Sequence, residues 1–180
     1  LVLVSDKLTD RVEKSINKIK NLLSRYFLGL LFQITILLII YSIDLAIFNV
    51  ENAFIIAFLC ALLNLIPYLG PIIGAILMTL LTMSSFIGAD FSEIILPKTI
   101  YVMIGFLIGQ LVDNFFSQPF IFSNSVKSHP LEIFIVILAS GIMLGPVGMI
   151  VGIPIYTSLK VIAQEFLPDN KIVKSLTKDF

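Results

Sequence analysis

The sequence predicts an all-α polytopic membrane protein, on two observations. Hydrophobic residues make up 58% of the 180-residue chain and charged residues only 13%, whereas soluble domains are about 45–50% apolar and about 25% charged. The apolar residues form long runs separated by short polar breaks, and a Gly-Pro pair interrupts two of the runs. A bilayer accommodates such runs because helices satisfy their backbone hydrogen bonds internally.

Composition also limits the function classes. The net charge of zero provides no basic surface for nucleic acid. Cys60, the single cysteine, lies in an apolar run and can form no internal disulfide, so we interpret it as a packing residue. The chain has no HExxH, GxSxG, CxxC or P-loop pattern. We therefore expect a protein that is not an enzyme and that needs no metal or other cofactor.

The first 25 residues predict a cytoplasmic amphipathic helix that leads into the membrane, with binding of a specific partner as the alternative. Apolar residues recur there every three or four positions, and Lys and Arg occupy much of the remaining surface. The apolar positions are Leu8, Val12, Ile16, Ile19 and Leu23. Because the chain begins LVLVSD without methionine, we also expect a fragment that lacks N-terminal spans.

Two segments are predicted to span the membrane fully, at residues 26–48 and 98–122. The strongly polar residues of the first are Gln33 and Asp44. Asp44 lies near one end of this segment, so we expect it to reach the membrane interface.

Two further apolar segments are predicted to be helical hairpins broken by Gly and Pro. The arm at 53–66 meets the sequence IPYLGP, and the arm at 131–144 meets GPVG. Proline and glycine at these places deny helix hydrogen bonds. The short arms suit re-entrant segments, and ordinary pairs of spanning helices are the alternative.

The placement of positive charge predicts the orientation. Lys and Arg concentrate before residue 26 and after residue 159, with only Lys98 and Lys127 between. The positive-inside rule then places both termini in the cytoplasm and the two hairpins in opposite orientations. Opposed broken hairpins are typical of inverted-repeat transporters. We therefore expect a transmembrane transporter domain at 26–166 and a cytoplasmic tail at 167–180.

The strongest functional signal is the segment GFLIGQLVDNFFSQP at residues 105–119. Its polar residues have the spacing of one helix face, namely Gln110, Asp113, Asn114, Ser117 and Gln118. An aspartate at mid-span costs about 2.5–3.5 kcal/mol in lipid, so this face must meet protein, water or ions. We expect it to line a substrate or ion pathway in which Asp113 binds a cation or proton. A polar seam between helices, or an interfacial position near the cytoplasmic end of the span, is the alternative.

The two breaks supply further candidate site residues. Asn64 and freed carbonyls near Pro67 can coordinate a cation or polar solute, and the helix that restarts at Pro71 would point its positive end at an anion. Gly70 precedes this restart. Gly145 has the same place in the second break. Tight turns between spans are the alternative.

The loop SNSVKSHP contains Ser125 and the single histidine, His129. We expect His129 to cap the helix that follows it. A proton-shuttling role is the alternative, since histidine changes charge most readily near neutral pH.

Taken together, these motifs resemble the autoinducer-2 exporter family, also called PerM-like transporters. The first match is an asparagine followed by I-P-Y-x-G-P-x-x-G, at Asn64 and 66–74. The second combines Q-x-x-D, a proline, S-V-x-x-H-P-L and a glycine-rich run. Its residues are Gln110, Asp113, Pro119, Ser125, Val126, His129, Pro130, Leu131, Gly141, Gly145, Gly148 and Pro154. The resemblance covers residues 5–166.

The resemblance implies a multi-pass protein of the bacterial cytoplasmic (inner) membrane, of which this chain would be the C-terminal half. It also implies export of a quorum-sensing signal or cation/proton exchange. We expect a secondary transporter of a small polar molecule or ion that works by alternating access, driven by an ion gradient. The expected partners are the lipid bilayer, the substrate and further copies of the chain. A cation/proton antiporter or channel-like pore is the alternative, and a non-transporting membrane scaffold is a further one.

Overall fold

The structure, a computed structural model, describes residues 6–119, 121 and 129–177. Its described elements are all helical, which confirms the predicted fold class. The helices are α1 (Asp6–Ile47), α2 (Ala53–Leu63), α3 (Leu69–Ser85), α4 (Leu96–Val112), α5 (Pro130–Phe166) and α6 (Lys171–Leu176). Two π-helical turns, Phe91–Ile95 and Asp113–Ser117, flank α4.

Within the part of the chain that the structure describes, three helical stretches are long and apolar enough to cross a membrane: Leu8–Ile47, Phe91–Ser117 and Leu131–Phe166. Large apolar side chains on them face outward; Ile142 and Met143, for example, are each 80% exposed. Exposed apolar surface of this extent is unfavourable in water and favourable in lipid. The chain is therefore a multi-pass membrane protein.

The chain divides into two compact units, which are described separately below. The central unit is Gly29–Pro119, and the terminal unit combines Leu1–Leu28 with Phe120–Phe180.

In the terminal unit, the first part of α1 packs through a face different from its apolar stripe. Ser15 and Leu22 are buried, whereas Leu8, Val12 and Ile16 are exposed. An amphipathic helix at a membrane surface needs exposed apolar residues beside Lys and Arg, and this part of α1 has them. Its position at the membrane surface remains a prediction.

The central unit contains the first predicted hairpin. Its arm α2 has 11 residues and α3 has 17, and 11 residues of helix extend only about 16 Å, roughly half of the ~30 Å hydrocarbon core. Between them the chain turns at Tyr68, whose φ of 67° is left-handed. Gly70 then packs directly against the Leu63 carbonyl. The predicted break is present, and a re-entrant position in the membrane remains a prediction.

The second predicted hairpin lies in the terminal unit, where α5 is broken at Gly145. This residue has φ 65° and ψ −152°, which no helix contains. The two arms return antiparallel, because Gly148 and Gly152 both pack against Ser140 and the Tyr156 hydroxyl donates to Glu132 Oε2 at 3.1 Å. The stretch Leu131–Phe166 is therefore a pair of packed arms, as the Leu-Gly-Pro motif predicts.

We predict that Gly145→Ala destabilises the complete protein by about 1–3 kcal/mol, because the φ/ψ region at this position is essentially open only to glycine. The measurement is the free energy of unfolding in mixed detergent micelles. Gly74→Ala is the control, since a Cβ there would meet the Phe106 ring at an ordinary 3.6 Å. Equal stability of the two variants would contradict the observed geometry of the break.

The ion pair that joins the arms of α5 yields a second prediction. Lys160 Nζ lies 3.1 Å from Glu132 Oε2, and the Lys160 side chain is only 4% exposed against 27% for Glu132. Removing the acid takes a charged partner from the more deeply buried ammonium, which costs more than taking the ammonium from a partly solvated carboxylate. We expect Glu132→Gln to cost up to about 3 kcal/mol, Lys160→Met to cost less, and the double variant to recover part of the loss. Additive losses in thermal unfolding would contradict this.

Candidate functional site

In the central unit, α1 and α4 contact each other through a row of polar side chains, which we call the polar seam. Gln33 meets Asp113, Tyr41 meets Gln110, and Asp44 meets Gly105. Residue numbers rise along α1 as they fall along α4, so the two helices run antiparallel here. The seam consists of Gln33, Tyr41 and Asp44 on α1, Asn64 after α2, and Gln110 and Asp113 at the end of α4.

Asp113 is the most enclosed acid of the seam, with 0% exposure. Its Oδ2 accepts hydrogen bonds from Gln33 Nε2 at 3.0 Å and from Gln118 Nε2 at 3.1 Å. Ser117 lies beside the carboxyl, but its hydroxyl makes no hydrogen bond of good geometry. Both bonds therefore come from neutral amides, which orient the carboxyl without supplying positive charge.

Gln110 joins three elements one turn before Asp113. Its Nε2 donates to the Tyr41 hydroxyl and to Asn64 Oδ1, both at 2.8 Å. Asn64 Nδ2 in turn donates to the Cys60 carbonyl at 2.8 Å. A single buried amide thus connects α1, α4 and the break after α2.

Glycines allow α1 to approach α4 closely along the seam. A Cβ at Gly105 would overlap the Asp44 carboxyl, and one at Gly109 would press on the Tyr41 ring. The Tyr41 ring also stacks on the Phe106 ring of α4, with ring centroids 5.2 Å apart. Small residues at these two positions therefore hold the polar groups of α1 against α4.

An apolar core supports the seam from the hairpin side. The Cys60 thiol is fully buried and lies 3.6 Å from the Gly74 carbonyl, which confirms its interpretation as a packing residue. The buried core residues are Leu37, Tyr41, Leu45, Val50, Ile56, Ala57, Cys60, Ala61, Met78, Val102 and Phe106.

The π-helical turn at Asp113–Ser117 changes which side chains share a face. Gln118 N–H donates to the Asp113 carbonyl, five residues back. The Gln118 Nε2 donates to the Asp113 carboxyl at 3.1 Å and to Asn114 Oδ1 at 2.9 Å, and the Asn114 side chain is exposed. The regular helix assumed from the sequence was wrong at this point. Single π-turns inside α-helices occur frequently at functional sites.

Comparison with known proteins identifies the family of the chain. The family model described as AI-2E family transporter matches residues 1–167. The chain belongs to the AI-2E transporter family. The predicted resemblance is thereby confirmed.

Three Bacillus subtilis (strain 168) proteins are similar to this member of the family. "Putative transport protein YrrI" is 33% identical over 145 residues, covering 81% of this chain and 38% of the relative. "Putative transport protein YueF" is 27% identical, covering 82% of this chain and 37% of its own length. "Putative transport protein YtvI" is also 27% identical, covering 93% of this chain and 42% of its own length. This chain thus spans about two fifths of the curated relatives it matches. No solved structure matches it.

Three carbonyls of the first break accept hydrogen bonds from nearby backbone, and coordination of a solute by the break remains a prediction. The Leu63 carbonyl accepts from Ile66 N–H, the Ile66 carbonyl from Gly70 N–H, and the Pro67 carbonyl from Leu69 N–H. Asn64 reaches the seam from this break through its side chain. Pro67 and Gly70 shape the turn that places it.

The remaining candidate residues belong to the terminal unit. Gly145 forms the break of α5, and Ser125 lies outside the described residues. His129 caps α5, because its Nδ1 accepts from Leu131 N–H at 3.3 Å, which confirms the expected capping role. Among the residues that the structure describes, no group of three or more His, Cys, Asp or Glu could hold a metal ion.

Sequence reasoning missed the contribution of α1 to the seam. Gln33 and Tyr41 are buried partners of the α4 stripe, and Asp44 is buried against Gly105; its depth in the membrane remains a prediction. The signal was present as polar or amphipathic residues at helical spacing in an otherwise apolar span.

We predict that Gln110→Leu lowers the free energy of unfolding of the complete protein by about 1–3 kcal/mol, because the buried Asn64 oxygen loses a donor. Asn114→Ala is the control: its side chain lies just beyond the end of α4, where it accepts an exposed hydrogen bond from Gln118 Nε2, and exposed substitutions usually change stability by about 0.5 kcal/mol or less. Unfolding in mixed micelles measures both. Equal effects would show that the bridge between the three elements does not stabilise the protein.

Proposed function

We propose that the complete protein carrying this sequence is a secondary transporter in which Asp113 binds the coupling cation or proton. The observation that carries the proposal is the environment of Asp113. The residue is fully buried in a helical stretch long enough to cross a membrane, and its hydrogen bonds come from neutral amides. Acids inside membrane spans usually mark ion or proton pathways, because an uncompensated charge there is costly.

The proposed cargo is a small polar molecule or ion, exported by alternating access. Two broken hairpins, one in each unit, support this mechanism, since broken helices recur at the binding sites of secondary transporters. Membership of the AI-2E transporter family supports transport and not catalysis. We further propose a location in the bacterial inner membrane with both termini in the cytoplasm, on the strength of the positive-inside charge distribution.

Assembly into a homo-oligomer also remains a proposal. Glycine faces were one reason to expect it, but Gly70, Gly105, Gly109, Gly148 and Gly152 all pack against neighbours within their own unit. The extensive exposed apolar surface offers a different site for a second copy or for lipid.

We predict that Asp113→Asn abolishes ion coupling in the complete protein while expression persists. Asparagine keeps the size and an acceptor oxygen but can neither lose a proton nor carry charge. The measurement uses proteoliposomes filled with a pH-sensitive dye, under an imposed sodium or proton gradient, with a panel of small polar solutes. We expect gradient-dependent flux of the variant to fall to the level of empty liposomes.

Glu51→Gln is the matched control, because Glu51 is an exposed acid of the same unit. Retained coupling in Asp113→Asn would remove Asp113 from the mechanism. Voltage-driven current without a counter-ion would favour the channel-like pore over a transporter. Exchange of cations for protons with no other solute would favour the antiporter, and absence of flux in the wild type would favour the scaffold.

A further inference from the structure

A second buried acid lies at the opposite end of the polar seam from Asp113. Asp44 is only 9% exposed, and its Oδ2 has no hydrogen-bond partner. Its carboxyl occupies the space that the missing side chain of Gly105 leaves open. From Gln33, the partner of Asp113, to Asp44 the helix rises about 16 Å, about half of the hydrocarbon core.

The charge balance of the central unit leaves both buried acids without a cationic side chain. Every residue from 29 to 119 is described, and this stretch contains a single base, Lys98, and no Arg or His. The Lys98 ammonium lies 4.0 Å from the centroid of the Phe86 ring. The acidic residues of the same stretch, 29–119, are Asp44, Glu51, Asp90, Glu93 and Asp113. Glu51, Asp90 and Glu93 are exposed, so only Asp44 and Asp113 face the cost of burial.

Other titratable groups near Asp44 provide no positive charge. On α1, the Tyr41 hydroxyl one turn away accepts from Gln110. On α4, the Tyr101 ring stacks on Phe48, 5.7 Å between centroids, and on α2 the Cys60 thiol faces the Gly74 carbonyl. None of these neutral groups offsets an ionised carboxylate.

We propose that Asp44 is a second proton-binding group of the protein, separate from Asp113 and set at the other end of the seam. A buried carboxylate without a counter-charge is strongly disfavoured, and formation of one O–H bond at Oδ2, with a proton taken from water, removes the charge. A proton fits better than a metal ion because hard cations need several oxygen ligands, and among the described residues Asp44 belongs to no group of three or more His, Cys, Asp or Glu side chains. Proton binding stands on this geometry; its use in transport rests on the proposed function.

The test is infrared spectroscopy of the complete protein in detergent, titrated with acid and base. A protonated carboxyl gives a C=O stretching band that an ionised carboxylate lacks. We expect the wild type to keep such a band at neutral pH and Asp44→Asn to lose one component of it. That component should persist in Asp113→Asn, and Glu51→Gln should match the wild type. A spectrum of Asp44→Asn identical to the wild type in this region would overturn the proposal.

Folding of the variant is itself informative. Asparagine has nearly the size of the protonated acid and no charge, so Asp44→Asn should fold if Asp44 is neutral in the native state. Its failure to fold would show that the native structure needs the carboxylate, and would also overturn the proposal. As a second variant, Gly105→Ala displaces the carboxyl without removing it. We expect its band to move in frequency or in midpoint pH, and an unmoved band would count against the assignment.

A flux assay on the same proteins separates this proposal from the proposed function. If Asp44→Asn loses its band but the wild type shows no gradient-driven flux, the proton site stands and the transporter assignment fails. If wild-type flux is coupled and the band is unchanged in Asp44→Asn, the transporter assignment stands and the second site fails.

Discussion

The central unit depends on one constraint: the Asp113 carboxyl must be shielded from lipid. It lies in a helical stretch whose outward-facing side chains are otherwise apolar. The protein meets this constraint by packing α1 against the polar face and supplying an amide, Gln33, at the level of the acid. Close packing in turn requires Gly105 and Gly109 on α4. Leu111, Phe115 and Phe116 remain exposed on the other side of the helix, where lipid solvates them.

The hairpin of α2 and α3 completes the enclosure. Without the hairpin, the buried Gln110 amide would have the Tyr41 hydroxyl as its partner. The break after α2 adds a second partner by placing Asn64 Oδ1 2.8 Å from Gln110 Nε2. The break can do this because α2 ends after 11 residues, while Gly70 lets the chain turn back against Leu63. The short arm and the polar network are thus two consequences of one turn, and the family's asparagine and IPYLGP motif lie together at that turn.

Much of this fold was predictable from the sequence, because hydrocarbon penalises every unsatisfied backbone group and every exposed polar side chain. Long apolar runs, the two Leu-Gly-Pro breaks and the polar face at Gln110 and Asp113 follow from backbone satisfaction and from the cost of polar groups in hydrocarbon. The contacts of α1 were not predictable, since the pairing of Gln33 with Asp113 joins positions 80 residues apart and local periodicity does not encode register between helices. The π-helical turn and the exposure of Asn114 were likewise missed.

The central claim is that Gln33 and Asp113 interact directly across the α1–α4 seam. A double-mutant cycle with Gln33→Leu and Asp113→Leu, read as unfolding free energies of the complete protein in mixed micelles, tests it most directly. The account predicts that the double variant is less destabilised than the sum of the singles by about 0.5–3 kcal/mol, as for residues in contact. Additivity within about 0.3–0.5 kcal/mol, as for distant sites, would contradict the seam.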